Sequence, residues 1–175
     1  MNFMKKHLNY VILAVSVLII GLDQLFKYLA IQFLSPIETM PLIDGVLNLT
    51  YCENKGAAFG IFAGRTFLLV GVTGVVLLLL IVLLILNKFS SPVLMWAVGL
   101  IIGGGIGNLI DRIFRTFVVD YIHVKFVKFA IFNFADCCVV VGTILFIFYF
   151  LFLEGKRIKK HDQTQEIDTS KQKEA

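Results

Sequence analysis

The sequence predicts a membrane-embedded all-α bundle of four transmembrane helices, with a small β-sheet and loop subdomain on its outer face. Three observations carry that expectation. First, 58% of the 175 residues are apolar and only 16% are charged, against roughly 45–50% and 25% in an average soluble domain. Such a chain cannot cover a small globule with polar surface, and it is far too apolar for disorder. Second, four stretches supply the roughly 20 apolar residues that a helix needs to cross the hydrocarbon core of a bilayer. Third, the segments 35–65 and 114–131 between those stretches carry turn and strand signals.

The first span is expected at about 10–34, the second at 66–86, the third at 93–113 and the fourth at 132–153. Lys5, Lys6 and His7 precede the first apolar run, as in a signal peptide. No small-x-small cleavage site follows, and three more spans do, so the segment reads as an uncleaved span. In the first outer loop, Ile43-Asp44-Gly45-Val46 marks a tight turn, because glycine tolerates positive φ. Val46 to Cys52 is rich in β-forming residues and reads as a strand. The small residues of Asn54-Lys55-Gly56-Ala57-Ala58-Phe59-Gly60-Ile61-Phe62 permit close backbone approach, and its two phenylalanines suit a headgroup layer. In the second outer loop, a strand over Phe117–Lys128 would put Val118, Asp120, Ile122, Val124 and Phe126 on one face. Asp120 is then the one acid on an apolar face, with Tyr121, His123 and Lys125 on the other.

Four spans place both termini on one side. The end with the termini and the 87–91 turn carries seven basic residues, Lys5, Lys6, Lys88, Lys156, Arg157, Lys159 and Lys160. The opposite loops carry six, Lys55, Arg65, Arg112, Arg115, Lys125 and Lys128. The bias is small, but the terminal clusters abut the spans, so the termini are expected in the cytoplasm. Several of the six opposing charges are expected to do something other than set topology. Residues 1–155 read as one polytopic unit and 156–175 as a polar cytoplasmic tail. No internal repeat supports an inverted-repeat transporter.

The net charge of +4 gathers beside apolar segments and forms no basic face for nucleic acid. Cys137 and Cys138 are adjacent in an apolar run and Cys52 stands alone. They form no disulfide framework or metal spacing and read as small apolar filler.

An ionised side chain at bilayer depth costs about 2.5–3.5 kcal/mol on the lenient insertion scale, so each one asks for a partner. Asp23 and Lys27, with Gln24 beside them, lie four apart on one face of the first span, where a mutually neutralising structural pair is the simpler reading. On the third span, Gly103 and Gly107 form a small-xxx-small pair, and Asn108, Asp111 and Arg112 share a face. Asp111 with Arg112 or Lys27 makes an ionic network, again a structural role first. Asn133 and Asp136 share a face near the outer end of the fourth span. Asp120 and Asp136, 16 residues apart, remain after the plausible ion pairs are drawn. A loop that folds back would bring them together, and two close carboxylates hold one proton between them. That is the division of labour in aspartic proteases. Spacing alone leaves other readings open: a proton-coupled small membrane carrier, whose acids would spread across the bilayer, or a non-catalytic assembly factor.

These residues also form a pattern. Asp23-Gln24 with Lys27, Asn54-Lys55-Gly56-Ala57-Ala58-Phe59, the run GGIGNLIDR from Gly104 to Arg112, Val118-Val119-Asp120-Tyr121-Ile122 and Phe132-Asn133-Phe134-Ala135-Asp136 occur in order between four spans. In this the chain resembles the bacterial lipoprotein signal peptidases, the type II signal peptidases, up to about Gly155. The resemblance implies an aspartic endopeptidase of the bacterial plasma membrane, with its active site near the outer leaflet. Its catalytic dyad carries over onto Asp120 and Asp136. Its supporting positions carry over onto Asp23, Lys27, Asn54, Gly56, Asn108, Asp111, Arg112, Asn133 and Ala135. It implies no metal and no cofactor. Its substrates would be prolipoproteins bearing a diacylglyceryl group on the lipobox cysteine, cut just before that cysteine. The outer sheet with Phe59 and Phe62 would clamp the substrate helix and its lipid. The expected partners are those substrates and membrane lipids, with no nucleic acid, and the protein is expected to act as a monomer.

Overall fold

A computed structural model describes residues 2–56, 64–89 and 91–155, with side chains from His7 onward. The expectations placed on Ala57 to Phe62 and on the tail from Lys156 lie outside the described residues.

Helix α1 (Asn2–Phe33) leads into strands β1 (Thr39–Ile43) and β2 (Leu47–Asn54). Helices α2 (Thr66–Ile85) and α3 (Pro92–Phe114) follow, then β3 (Val118–Val124) and α4 (Phe134–Phe148), which continues through a π-helical turn over Tyr149–Leu153. Among the described residues, four segments are long and apolar enough to cross a membrane: His7–Phe33, Thr66–Ile85, Pro92–Phe114 and Phe134–Leu153. The fourth begins two residues later than expected. Phe132 is drawn into an extended bridge with Ile122, and Asn133 takes the N-cap.

Helix α3 is the axis of the bundle, and α1, α2 and α4 all pack on it. Its sequence explains why. A Cβ on Gly103 would lie 2.9 Å from Ile19 of α1, and one on Gly107 would lie 2.5 Å from the Asp23 carboxylate. A Cβ on Gly104 would collide with the Ala135 carbonyl of α4, and one on Gly105 would lie 2.7 Å from Leu77 of α2. Small residues on three sides let three helices approach closely, where dispersion and polar contacts must replace the hydrophobic drive that lipid does not supply. At the end away from the sheet, Ile12, Leu84, Met95, Val98 and Ile102 form a buried cluster. The Asn9 amide closes that end by donating to Leu84 O at 2.7 Å.

At the other end the sheet is antiparallel in the order β1-β2-β3. The expected turn joins β1 to β2, with Gly45 at φ +70° and Val46 N bonded to Ile43 O at 3.0 Å. Strand β1 itself was not singled out by the sequence. Strand β3 pairs with β2 so that Val118 faces Asn54 and Asp120 faces Cys52. It is shorter than the expected 117–128, ending at Val124 before a turn. The expectation of one apolar and one more polar face is corrected here. Val118 to Tyr121 are buried on both sides, with Val119 and Tyr121 packed on Ala30 and Leu34 of α1.

Candidate active site

The site is layered, from a buried ionic cluster outward to two carboxylates. Lys27, fully buried on α1, holds Asp23 Oδ2 at 2.8 Å and Asp111 Oδ2 at 3.1 Å. Asp111 also pairs with Arg115 and accepts from the backbone N–H of Val119 at 3.1 Å. Gln24 donates to Gly107 O at 3.1 Å and to Asp111 Oδ1 at 3.3 Å. Asp23 Oδ1 accepts from the N–H of Ala135 at 3.2 Å, which ties α1 to the first turn of α4. A buried charge is tolerable only when paired and hydrogen-bonded, and each of these is.

Two asparagines carry the network to the carboxylates. Asn108 Oδ1 accepts from Lys27 Nζ at 2.8 Å and from Asn133 Nδ2 at 3.1 Å, while its Nδ2 donates to Asp136 Oδ1 at 2.8 Å. Asn133 Nδ2 donates to Asp120 Oδ1 at 2.7 Å. Its backbone N–H donates to Asp136 Oδ2 at 3.1 Å, and its Oδ1 accepts from Asp136 N at 2.9 Å. That reciprocal pair is a capping box at the start of α4. Asp136 therefore also has a structural role as a helix cap, beyond the expected one. Asp120 Oδ2 accepts from Asn54 Nδ2 at 2.9 Å. Asn54 is held by the N–H of Gly56 at 3.0 Å, and Gly56 O accepts from Arg112 Nη2 at 3.0 Å.

Asp120, Asp136, Asn54, Asn108 and Arg112 line a cavity of about 450 Å³ whose remaining wall is mostly apolar, including Phe132, Val139 and Val140. Burial of the Asp120 carboxyl, with the negative charge of Asp136 next in weight, raises its pKa from 3.8 to about 7. The Asn54 and Asn133 donors and the Lys27 charge pull the other way but do not win. Burial also pushes the Cys52 thiol and the Tyr121 phenol up, so neither ionises near neutral pH. Tyr121 instead uses its hydroxyl to accept from Phe134 N at 3.2 Å.

Every site residue expected from the sequence falls into this one connected network. Of the two partners expected for Asp111, Lys27 is found and Arg112 is not. Arg112 turns toward Gly56 and the cavity, and Arg115, one residue further on, takes the carboxylate. Arg115 and Gln24 were not among the expected site residues. The i+4 spacing from Asp111 to Arg115 is visible in the sequence, where Arg115 also stands among the basic residues of the outer loops. The two basic residues at the end of α3 thus serve the site. Among the described residues, the buried ionisable groups of the network, Asp23, Lys27, Asp111 and Asp120, all lie at the sheet end, while the far end buries Asn9 and Ser16. Acids spread across the membrane, as a proton carrier would require, are not the pattern.

Fold and site together define a multi-pass membrane protein in which a strand and a helix start present two carboxylates to an apolar-walled cavity. Comparison with known proteins narrows this. The family model for signal peptidase (SPase) II matches residues 15–152. The chain is 38% identical over 153 residues to a lipoprotein signal peptidase of Clostridium acetobutylicum, covering 86% of this chain and 97% of that one. It is 41% identical to the lipoprotein signal peptidase of Enterococcus faecalis, covering 83% and 90%. A bacterial membrane enzyme solved by the in meso method at 1.9 Å superposes with a TM-score of 0.73 and 30% identity, over 82% of this chain and 94% of that one. The chain belongs to the signal peptidase II family of membrane peptidases.

Proposed function

We propose that this protein removes the signal peptide from diacylglyceryl-modified prolipoproteins, with Asp120 and Asp136 as the catalytic pair. The observation that carries the reading is the convergence of the two aspartates on one Asn133, whose amide donates to Asp120 and whose backbone N–H donates to Asp136, at the edge of one cavity.

Asp120 enters the reaction with the shared proton, since its burial beside Asp136 favours the neutral form. Asp136 takes a proton from the attacking water as the water oxygen bonds to the scissile carbonyl carbon. Asp120 gives its proton to the carbonyl oxygen. On collapse the C–N bond breaks, Asp136 returns its proton to the leaving amine of the lipidated cysteine, and one hydroxyl proton goes back to Asp120. Both carboxyls then stand as they began. The donors from Asn54, Asn108 and Asn133 hold the carboxyls in place through each transfer.

In this reading residues 1–155 form the peptidase unit and 156–175 a polar cytoplasmic tail. Both termini face the cytoplasm, the sheet end faces the outer leaflet, and one copy of the chain is sufficient. A signal peptide is itself a membrane helix, so it arrives sideways through lipid at the depth of the cavity. The test is cleavage of a lipidated model prolipoprotein by purified protein. Asp120→Asn and Asp136→Asn are each expected to abolish it in folded protein, and the double variant to be no worse than either single, because such groups act as a unit. Substantial cleavage by either single variant removes the assignment.

A further inference from the structure

The carboxylates of this reaction are aimed by amides that must themselves be aimed. Lys27 is fully buried, and its ammonium contacts Asp23 at 2.8 Å, Asp111 at 3.1 Å and Asn108 Oδ1 at 2.8 Å. An ammonium offers three protons and no acceptor, so these contacts occupy it fully. The acids do not depend on it alone. Asp111 keeps Arg115, the Val119 N–H and Gln24, and Asp23 keeps the Ala135 N–H. The third contact leads toward the cavity. If the Asn108 amide were turned over, its NH₂ group would face the Lys27 ammonium and the NH₂ of Asn133, and its carbonyl would face Asp136 Oδ1. Three attractive contacts would become three repulsive ones. With Asn108 fixed, its oxygen takes one Asn133 amide proton and leaves the other for Asp120 Oδ1.

We infer that Lys27 is a positioning residue for both aspartates, acting through the side-chain amide of Asn108 and not only as a counter-ion within the helix bundle. The inference rests on the reading of Asp120 and Asp136 as the reacting pair. The charged and titratable groups acting on Asp120 are Asp136 from α4, Arg112 from α3, Cys52 from β2 and Lys27 from α1. Lys27 lowers the affinity of Asp120 for its proton. Its removal thus carries a signature that a packing role lacks.

The test uses the full chain in lipid nanodiscs with a lipidated prolipoprotein. Asp23→Asn with Lys27→Met is charge-balanced and leaves Asp111 its pair with Arg115. The expected result is folded protein with KM within about twofold, kcat reduced at least about tenfold, and the basic limb of the pH–rate profile moved upward. In an Asn108→Leu background the same pair of changes should reduce kcat no further. Wild-type kcat with an unmoved limb, or full additivity on Asn108→Leu, overturns the inference. Should the Met variant not fold, Asp23→Asn with Lys27→Gln keeps a neutral donor toward Asn108. It should retain kcat while the limb still moves, and an unmoved limb there overturns the inference equally. Cleavage by Asp120→Asn would remove the underlying reading. A dead Asp120→Asn beside an unaffected Lys27 variant removes this inference alone.

Discussion

In the proposed reaction the residue that sets the working pH is Asp120. Its neutral form persists in the fold up to about 7, whereas an exposed carboxyl ionises near 3.8. In the proposed reaction it must donate a proton, so cleavage should fall above about pH 7, by about tenfold per unit at the steep part. An initial-rate profile with the lipidated substrate checks this, and a flat rate to pH 9 would assign the donor elsewhere. The same group affects folding. Between about 4 and 7 the native state holds a proton that the unfolded chain has released, so stability should decline as pH rises through that window and level off above it. Denaturant titrations in micelles at pH 5 and pH 8 measure that decline.

At the scale of elements, close approach is what holds the site together. A Cβ at Gly107 would lie 2.5 Å from Asp23 Oδ2, whose carboxylate is pinned by Lys27 and by the Ala135 N–H. Gly107→Ala is therefore expected to destabilise the protein by roughly 1–3 kcal/mol. A Cβ on Gly21 of α1 would meet no other part of the protein within 4 Å, and Gly21→Ala should be neutral or stabilise by up to about 1 kcal/mol. Thermal unfolding of the two variants side by side decides it. The spans and the β1–β2 turn were legible in the sequence, because span length and turn chemistry are local properties. Asp23 and Lys27 were legible as a pair for the same reason: i and i+4 on a helix must meet. The place of Arg112 was not, because no spacing on the helix tells that it reaches Gly56 O, whereas Arg115 meets Asp111 at i+4 as Lys27 meets Asp23. Nor was the burial of β3 on both sides, which depends on where α1 ends, at Phe33, and on Leu34 beyond it.

For the whole molecule, the cavity wall is mostly apolar and the two proposed reacting carboxyls sit at one end of the bundle. In the proposed reaction a lipidated substrate held there would draw much of its binding energy from its acyl chains, at about 0.8 kcal/mol per buried CH₂. Remote binding energy also orients the scissile bond. An unlipidated form of the same prolipoprotein should thus lose turnover even at saturation, and equal initial rates would mean that the lipid is not read. A different demand falls on the short connection between α3 and β3, residues 115–117. Thr116 sits there at φ +68°, and its carbonyl accepts from Thr66 Oγ1 at 3.2 Å, while Val119 just beyond is fastened to Asp111. Surface connections are ordinarily where chains gain and lose residues freely. Here one added residue would slide the strand by a single position and offer Val119 where Asp120 belongs. Every helix would still form, every span would still insert, and the protein would have one acid fewer to work with.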